Sequence, residues 1–178
     1  GSHYIYPLME SQFCQHFKSS CYFRMQEATR MLDIALSKLS PKQLWERPNE
    51  NSLSIGNQLL HLKGNITQYI ISTLGQQADI RNRDLEFDTR EGMDLETLWN
   101  DLKNTLETAK TCIQKCPEAL LLKEHSVQGF DLSGVDVALH AVEHLSYHTG
   151  QVAFWVKQLT NTPLGFYEGM DLNTKNKS

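Results

Sequence analysis

The chain has 178 residues, of which 40% are hydrophobic and 21% are charged, which is typical of one domain with a substantial core. Its formal net charge is -4, so the chain lacks the excess of basic residues that would neutralise phosphates. This argues against nucleic acid as the main partner. No apolar run approaches the roughly 18 residues that a membrane span requires, so no membrane partner is expected.

The ends of the chain and its cysteines indicate the cellular compartment. Gly1-Ser2-His3 is typical of the remnant of a cleaved tag. A secretory signal, which has a charged segment followed by an apolar one, is not visible in the sequence. Cys14 and Cys21 are seven residues apart, and Cys112 and Cys116 are four apart, which are helix-face spacings rather than those of a zinc ribbon. We expect core packing for these thiols, with metal or redox chemistry as the weaker alternative, and a reducing cytoplasm.

The first half of the chain predicts two long helices. Apolar residues recur at intervals of three and four from Glu10 to Leu39, and Ser40-Pro41 ends this first helix. A second helix is predicted from about Leu53 to Leu74, with Ser52 or Ser54 as its cap. Its apolar stripe consists of Ile55, Leu59, Leu62, Ile66 and Ile70.

A polar stretch from Gly75 to Gly92 separates the second helix from the third. Connections of this length in compact domains are usually functional or mobile. Between Arg81 and Arg90 it mixes arginines with acidic residues, which favours a solvated, self-paired loop. Recognition of an anionic substrate group is the alternative interpretation.

The second half of the chain predicts two further helices. Asp94 caps a third helix that ends at Pro117, and an extended or hairpin-like element is expected from Val127 to Leu132. Ser133 begins a sequence that resembles a capping box, which predicts a fourth helix ending near Thr160. Four long helices with little strand signal predict an all-α four-helix bundle with a long connection between helices 2 and 3.

Histidines dominate one face of the fourth helix, because His140, His144 and His148 follow one another at intervals of four. Two such imidazoles can converge on one ion at about 2.0–2.1 Å when a third ligand arrives from elsewhere. The helix is apolar nearly all round, as expected for a buried helix, so its histidines need partners. The spacing alone fits a metal site and a hydrogen-bonded polar core equally well. His61 on the second helix is the candidate third ligand, although an isolated histidine there is more often a boundary residue.

The segment from His144 to His148 differs from the zinc-peptidase motif, in which a glutamate directly follows the first histidine as general base. Leu145 occupies that position here. Glu143 precedes the histidine and points about 100° away around the helix. The spacing therefore argues against a peptidase.

Three segments in the right order resemble the DinB/YfiT-like superfamily of metal-binding four-helix bundles. They run from Leu39 to Pro48, from Ser54 to Asn65 and from Glu143 to Gln151, within a match from about Phe13 to Leu159. The stretch from Arg81 to Phe87 is similar to a mostly uncharacterised subgroup of that family. The resemblance implies a helical bundle with a metal site.

The resemblance implies a divalent metal ion, usually zinc or nickel, held by His61, His144 and His148. It places His140 in the pocket rather than among the ligands. Some relatives use the metal to activate a low-molecular-weight thiol, and others have no known reaction. Three imidazoles leave a coordination position open, as in catalytic zinc sites. Side chains that can contact the ligands or a substrate, or that equally serve helix packing, are Glu143, Tyr147 and Gln151.

Two functional classes follow from this site. The first is an enzyme, either a thiol transferase or a hydrolase that uses metal-activated water, and the sequence assigns it no catalytic residue. The second is a non-catalytic metal-binding or stress-associated interaction protein. The expected partners are a small thiol or another small substrate and, from the resemblance alone, a second copy in a homodimer. We expect residues 1–3 to be the tag remnant, residues 4–168 one DinB-like domain and residues 169–178 a polar tail.

Overall fold

The computed structural model describes residues 10–177 of the chain. The tag remnant expected at residues 1–3 and the start of the domain at residue 4 lie outside this part. The elements are, in chain order, α1 (Gln12–Leu36), a 3-10 turn (Pro41–Trp45), α2 (Ile55–Ile66) with a π-helical continuation (Thr67–Leu74), α3 (Arg83–Asp88), α4 (Leu95–Lys115), α5 (Glu118–Leu122), β1 (Glu124–Val127), β2 (Phe130–Ser133) and α6 (Gly134–Thr160).

The predicted all-α bundle is confirmed, because α1, α2, α4 and α6 are long and enclose one apolar core. Each of these helices begins where a side-chain oxygen accepts a hydrogen bond from a backbone N–H of the first turn, which would otherwise lack a partner. The four capping residues are Ser11, Ser54, Asp94 and Ser133. Among the described residues, every helix is too short or too polar to cross a membrane.

The second predicted helix continues to Leu74 as expected, but its last eight residues have π-helical hydrogen bonding. The hydroxyl of Thr67 donates to the carbonyl of Lys63 at 2.7 Å, and that of Thr73 donates to Gln68 at 2.9 Å. Hydroxyl groups that bond to carbonyls of the preceding turn compete with the regular ladder and loosen it. The widened segment ends at Gly75, whose N–H donates to the carbonyl of Ile70 at 2.9 Å.

The expectation that the fourth helix is buried nearly all round is wrong for one face. Leu139 is 53% exposed and Phe154 is 62% exposed, whereas the opposite face of α6 lies in the core. Both residues lie on the solvent-exposed face of α6, and large apolar side chains on a surface are common. The predicted stripe of α2, by contrast, is fully buried.

The cysteines pack in or against the core, as expected for them. Cys14, Cys21 and Cys116 are buried, Cys112 is half-buried, and all four are free thiols. Burial raises the pKa of Cys21 and of Cys116 to about 11, so neither is ionised near neutral pH.

The extended element expected near residue 127 is a hairpin of β1 and β2 in which Val127 pairs with Phe130. Gln128 and Gly129 between the strands have positive φ values of 53° and 80°, which a two-residue hairpin turn requires. The hydroxyl of Tyr69 donates to the side-chain oxygen of Gln128 at 2.7 Å. The hairpin is thereby attached to the π-helical segment of the bundle.

A candidate metal centre

His61 of α2 meets His144 and His148 of α6 inside the bundle. One ring nitrogen of each residue lies within 4.8 Å of the corresponding nitrogens of the other two. The Nε2 atoms of His61 and His144 are 2.9 Å apart. His61 and His148 are buried, and His144 is half-buried. This histidine cluster (His61, His144 and His148) can hold a metal ion.

The proton of the His61 ring is located by its carboxylate partner. Nδ1 of His61 lies 2.9 Å from Oε1 of Glu86. A carboxylate can only accept a hydrogen bond, so Nδ1 carries the hydrogen and donates it. The lone pair of His61 is then on Nε2, which faces His144.

His148 is oriented in the same sense by neutral amides. Its Nδ1 donates to Oε1 of Gln58, and Nε2 of Gln58 donates to Oε1 of Gln151 at 2.7 Å. Nε2 of His148 is therefore the atom that remains available as a ligand. His144 differs from its neighbours, because none of the described residues forms a hydrogen bond with its buried Nδ1.

The histidines of α6 are neutral near pH 7. Burial, with the neighbouring imidazoles, lowers the pKa of His144 to about 3. Burial and His61 lower the pKa of His148 to about 4. Only a neutral imidazole can ligate a metal, so the donor set fits a divalent metal ion.

A buried ion pair supports the cluster on its inner side. Arg81 donates to both carboxylate oxygens of Glu86, through Nε and Nη2, each at 2.9 Å. The side chains are 4% and 8% exposed, so the solvated loop that the sequence predicted is wrong at these two residues, although the expected self-pairing occurs. Burial alone would raise the pKa of Glu86, but the hydrogen bonds from His61 and Arg81 and the guanidinium charge bring it below its usual value.

The α2 helix is shaped to receive the connection that carries Glu86. A Cβ atom on Gly64 would lie 1.8 Å from Oε2 of Glu86, so only glycine leaves room for the carboxylate. The side-chain amide of Asn57 donates to the backbone carbonyls of Glu86 at 2.9 Å and of Thr89 at 2.8 Å. Sequence analysis missed Glu86 and Arg81 as partners of His61. A glycine within a helix, which costs about 1 kcal/mol relative to alanine, was the available signal.

The other residues singled out in the sequence lie around the cluster. His140 is half-buried and stacks on Tyr69 with ring centroids 4.3 Å apart, outside the group of three. Glu143 is exposed. Tyr147 is 64% exposed, and its ring stands edge-on to His148 at 5.1 Å.

A groove of about 970 Å³ opens beside His148. Its walls combine apolar and aromatic side chains with amides, and none of the described residues that line it has a charged side chain at neutral pH. The lining includes Leu53, Gln58, Tyr147, Gln151, Phe154 and Trp155.

The fold and the histidine cluster place this chain in a class of helical bundles that can hold a metal ion between their helices. The DinB family model matches residues 13–177, and the chain therefore belongs to the DinB family. The crystal structure of a DinB-like protein of Bacillus subtilis, YjoA, has a similar fold, with a TM-score of 0.58 at 21% identity. The similarity covers 88% of this chain and 97% of that one. No curated protein matches the chain.

Proposed function

We propose that the chain binds one divalent metal ion, zinc or nickel, through Nε2 of His61, His144 and His148. We further propose that it transfers a small thiol to an apolar electrophile in the adjoining groove. The observation that carries this proposal is the pair of fixed imidazoles, His61 and His148, whose free nitrogens face His144 beside an open groove. Three histidines leave at least one coordination position for an external ligand.

The chemistry of the groove favours a thiol over water as the nucleophile. A divalent cation held by the histidine cluster would supply Lewis acidity, which lowers the pKa of a thiol or a water. Hydrolysis also needs a general base or acid near the substrate, and no described carboxylate or lysine lines the groove. His148 is a proposed ligand, which leaves Tyr147 as the one other described lining residue that could transfer a proton. Glu86 does not meet this need, because it lies at Nδ1 of His61 and is held by Arg81.

The residues of the chain would orient the reactants and exclude water. The rings of Tyr147, Phe154 and Trp155 form an apolar wall for the electrophile. The amides of Gln58 and Gln151 keep His148 in place and present polar atoms to the groove. In the proposed transfer the thiol proton goes to solvent and sulfur bonds to the electrophilic carbon. The leaving group takes the electron pair of the broken bond.

Cobalt substitution tests this proposal. The protein should take up about one Co²⁺ per chain, and 2-mercaptoethanol should add a sulfur-to-cobalt charge-transfer band. The His148→Ala variant is the control, because it should show neither the site nor the band. If cobalt binds but added thiol does not change the spectrum, the transferase proposal is wrong. That result would favour a non-catalytic metal-binding or stress-associated protein. The cytoplasmic location and the homodimer stay predictions, and light scattering tests the latter.

A further inference from the structure

One set of polar contacts around the histidine cluster comes from outside the four long helices. Glu86 lies on α3, within the polar connection, and reaches Nδ1 of His61 while Arg81 holds both of its oxygens. Nη1 of Arg81 also donates to Oε1 of Gln68 at 2.9 Å. Gln68 in turn donates to Asp79 at 2.9 Å. A continuous network, exposed at Asp79 and buried at Gln68 and Glu86, thus ends on one ring of the cluster.

The burial of these charges adds little net stability, which indicates that the network has another role. Removing two charges from water carries a large desolvation penalty, which the attraction within the pair often only balances. The chain also has a glycine inside a helix at Gly64, where any side chain would collide with Glu86. By contrast, Asp84 and Asp88 on the same short helix are exposed to solvent. The buried carboxylate is therefore placed specifically against His61.

We propose that Glu86, held by Arg81, is a positioning residue that keeps His61 in its Nδ1–H tautomer, with Nε2 directed at His144 and His148. This inference rests on the metal binding proposed above. A histidine without such a partner would populate both tautomers and several ring orientations, and one of the three nitrogens would often be protonated or turned away. Partners of this kind typically change metal affinity by about 10–100-fold.

The Glu86→Gln variant gives the sharpest test, because it keeps the shape of the side chain and removes its charge. Arg81 competes for the single amide oxygen, which leaves the NH₂ group to face Nδ1 of His61 and favours the opposite tautomer. The Asp84→Asn variant is the matched control, because it removes the same charge from an exposed position on the same helix. The measurements are Zn²⁺ affinity by competition with a chelator and the ¹⁵N shifts of His61 in metal-free protein at pH 7.5.

We expect Glu86→Gln to weaken Zn²⁺ binding about 10–100-fold and to shift His61 away from the Nδ1–H form, with Asp84→Asn unchanged in both. Wild-type affinity together with an unchanged ¹⁵N signature in Glu86→Gln would overturn the proposal, as would an equal loss in Asp84→Asn. If the wild type bound no metal, the proposed function would fail, while the ¹⁵N shifts would still decide the role of Glu86.

A second variant covers the case in which Glu86→Gln does not fold because Arg81 is left buried without its partner. The double change Arg81→Met and Glu86→Leu removes both charges and keeps apolar volume. It should remain folded, show both tautomers of His61 and bind Zn²⁺ about 10–100-fold more weakly. Wild-type binding by a folded double variant would overturn the positioning role.

Discussion

The two sides of the histidine cluster are built differently. On the inner side His61 donates to Glu86, a carboxylate within a buried ion pair. On the outer side His148 donates to Gln58, a neutral amide bonded to Gln151 at the wall of the open groove. Charge is thus confined to the side where the connection covers it, and the side that opens to the groove carries only uncharged groups.

The two sides should therefore differ in how firmly they restrict their imidazole rings. A charge-assisted hydrogen bond is about twice as strong as a neutral one, so the inner contact should restrict its ring more firmly. In the proposed function, the outer amides would place no fixed charge beside the nucleophile. The predictions below change one side at a time.

The largest effect should follow the loss of a proposed ligand. Changing His144 or His148 to alanine leaves two imidazoles and should abolish most of the metal uptake, measured as bound Zn²⁺ per chain after dialysis. His140→Ala is the control, because His140 stacks on Tyr69 outside the cluster. Equal loss in the His140 variant would show that the pair of ligands on α6 has been assigned wrongly.

The next effect tests the steric requirement of the inner side. Gly64→Ala places a methyl group against the Glu86 carboxylate and should destabilise the fold by about 1–3 kcal/mol, besides weakening metal binding. Gly150→Ala is the matched control, because no atom lies within 4 Å of the added Cβ on α6. That change should stabilise the helix by about 0.5–1 kcal/mol. Urea unfolding measures both, and equal stabilities would contradict the close approach at Gly64.

A smaller effect is expected on the outer side. Gln58→Leu removes the acceptor for Nδ1 of His148 and should weaken Zn²⁺ binding about 10-fold, at the lower end of the range for such partners. The loss should be smaller than in Glu86→Gln, because a neutral bond is broken rather than a charge-assisted one. A larger loss in Gln58→Leu, from the same chelator competition, would reverse the comparison.

A further effect is a pH dependence of metal-free protein. The pKa values of His144 and His148 are lowered to about 3 and 4, so unfolded chains bind more protons below about pH 6.5. The free energy of unfolding should therefore fall between about pH 6.5 and pH 4. The slope should stay well below about 1.4 kcal/mol per pH unit for each ring, because both keep some contact with solvent.

Glu86, on the inner side, should affect the free energy of unfolding in a separate and lower pH range. The pKa of Glu86 is lowered, so its stabilisation is complete above the usual carboxyl range and is lost only at lower pH. Urea unfolding of metal-free wild type and of His144→Gln/His148→Gln between pH 7 and pH 5 tests this separation. A slope that persists in the double variant would assign the effect to other groups.

Much of the fold was predictable because local chemistry specifies it. Periodic apolar residues and the caps predicted at Ser52 or Ser54, at Asp94 and at Ser133 located three of the long helices, and the predicted end of α6 near Thr160 is confirmed. The spacing of four predicted that His144 and His148 share one face of α6. The family, and the prediction that His61 joins that pair, came from motifs in the right order rather than from any single pattern.

The amino-acid sequence by itself determined the helices, their buried stripes and the face on which each histidine lies, because these depend on neighbours within one or two turns. Only the tertiary structure decided which polar residues are withdrawn from water. Arg81 and Glu86 stand in a stretch with the composition of a solvated loop, yet the space at Gly64 and the amide of Asn57 bring them against His61. Such burial depends on contacts between residues far apart in the chain, and a glycine within a helix signals a close approach without identifying its partner.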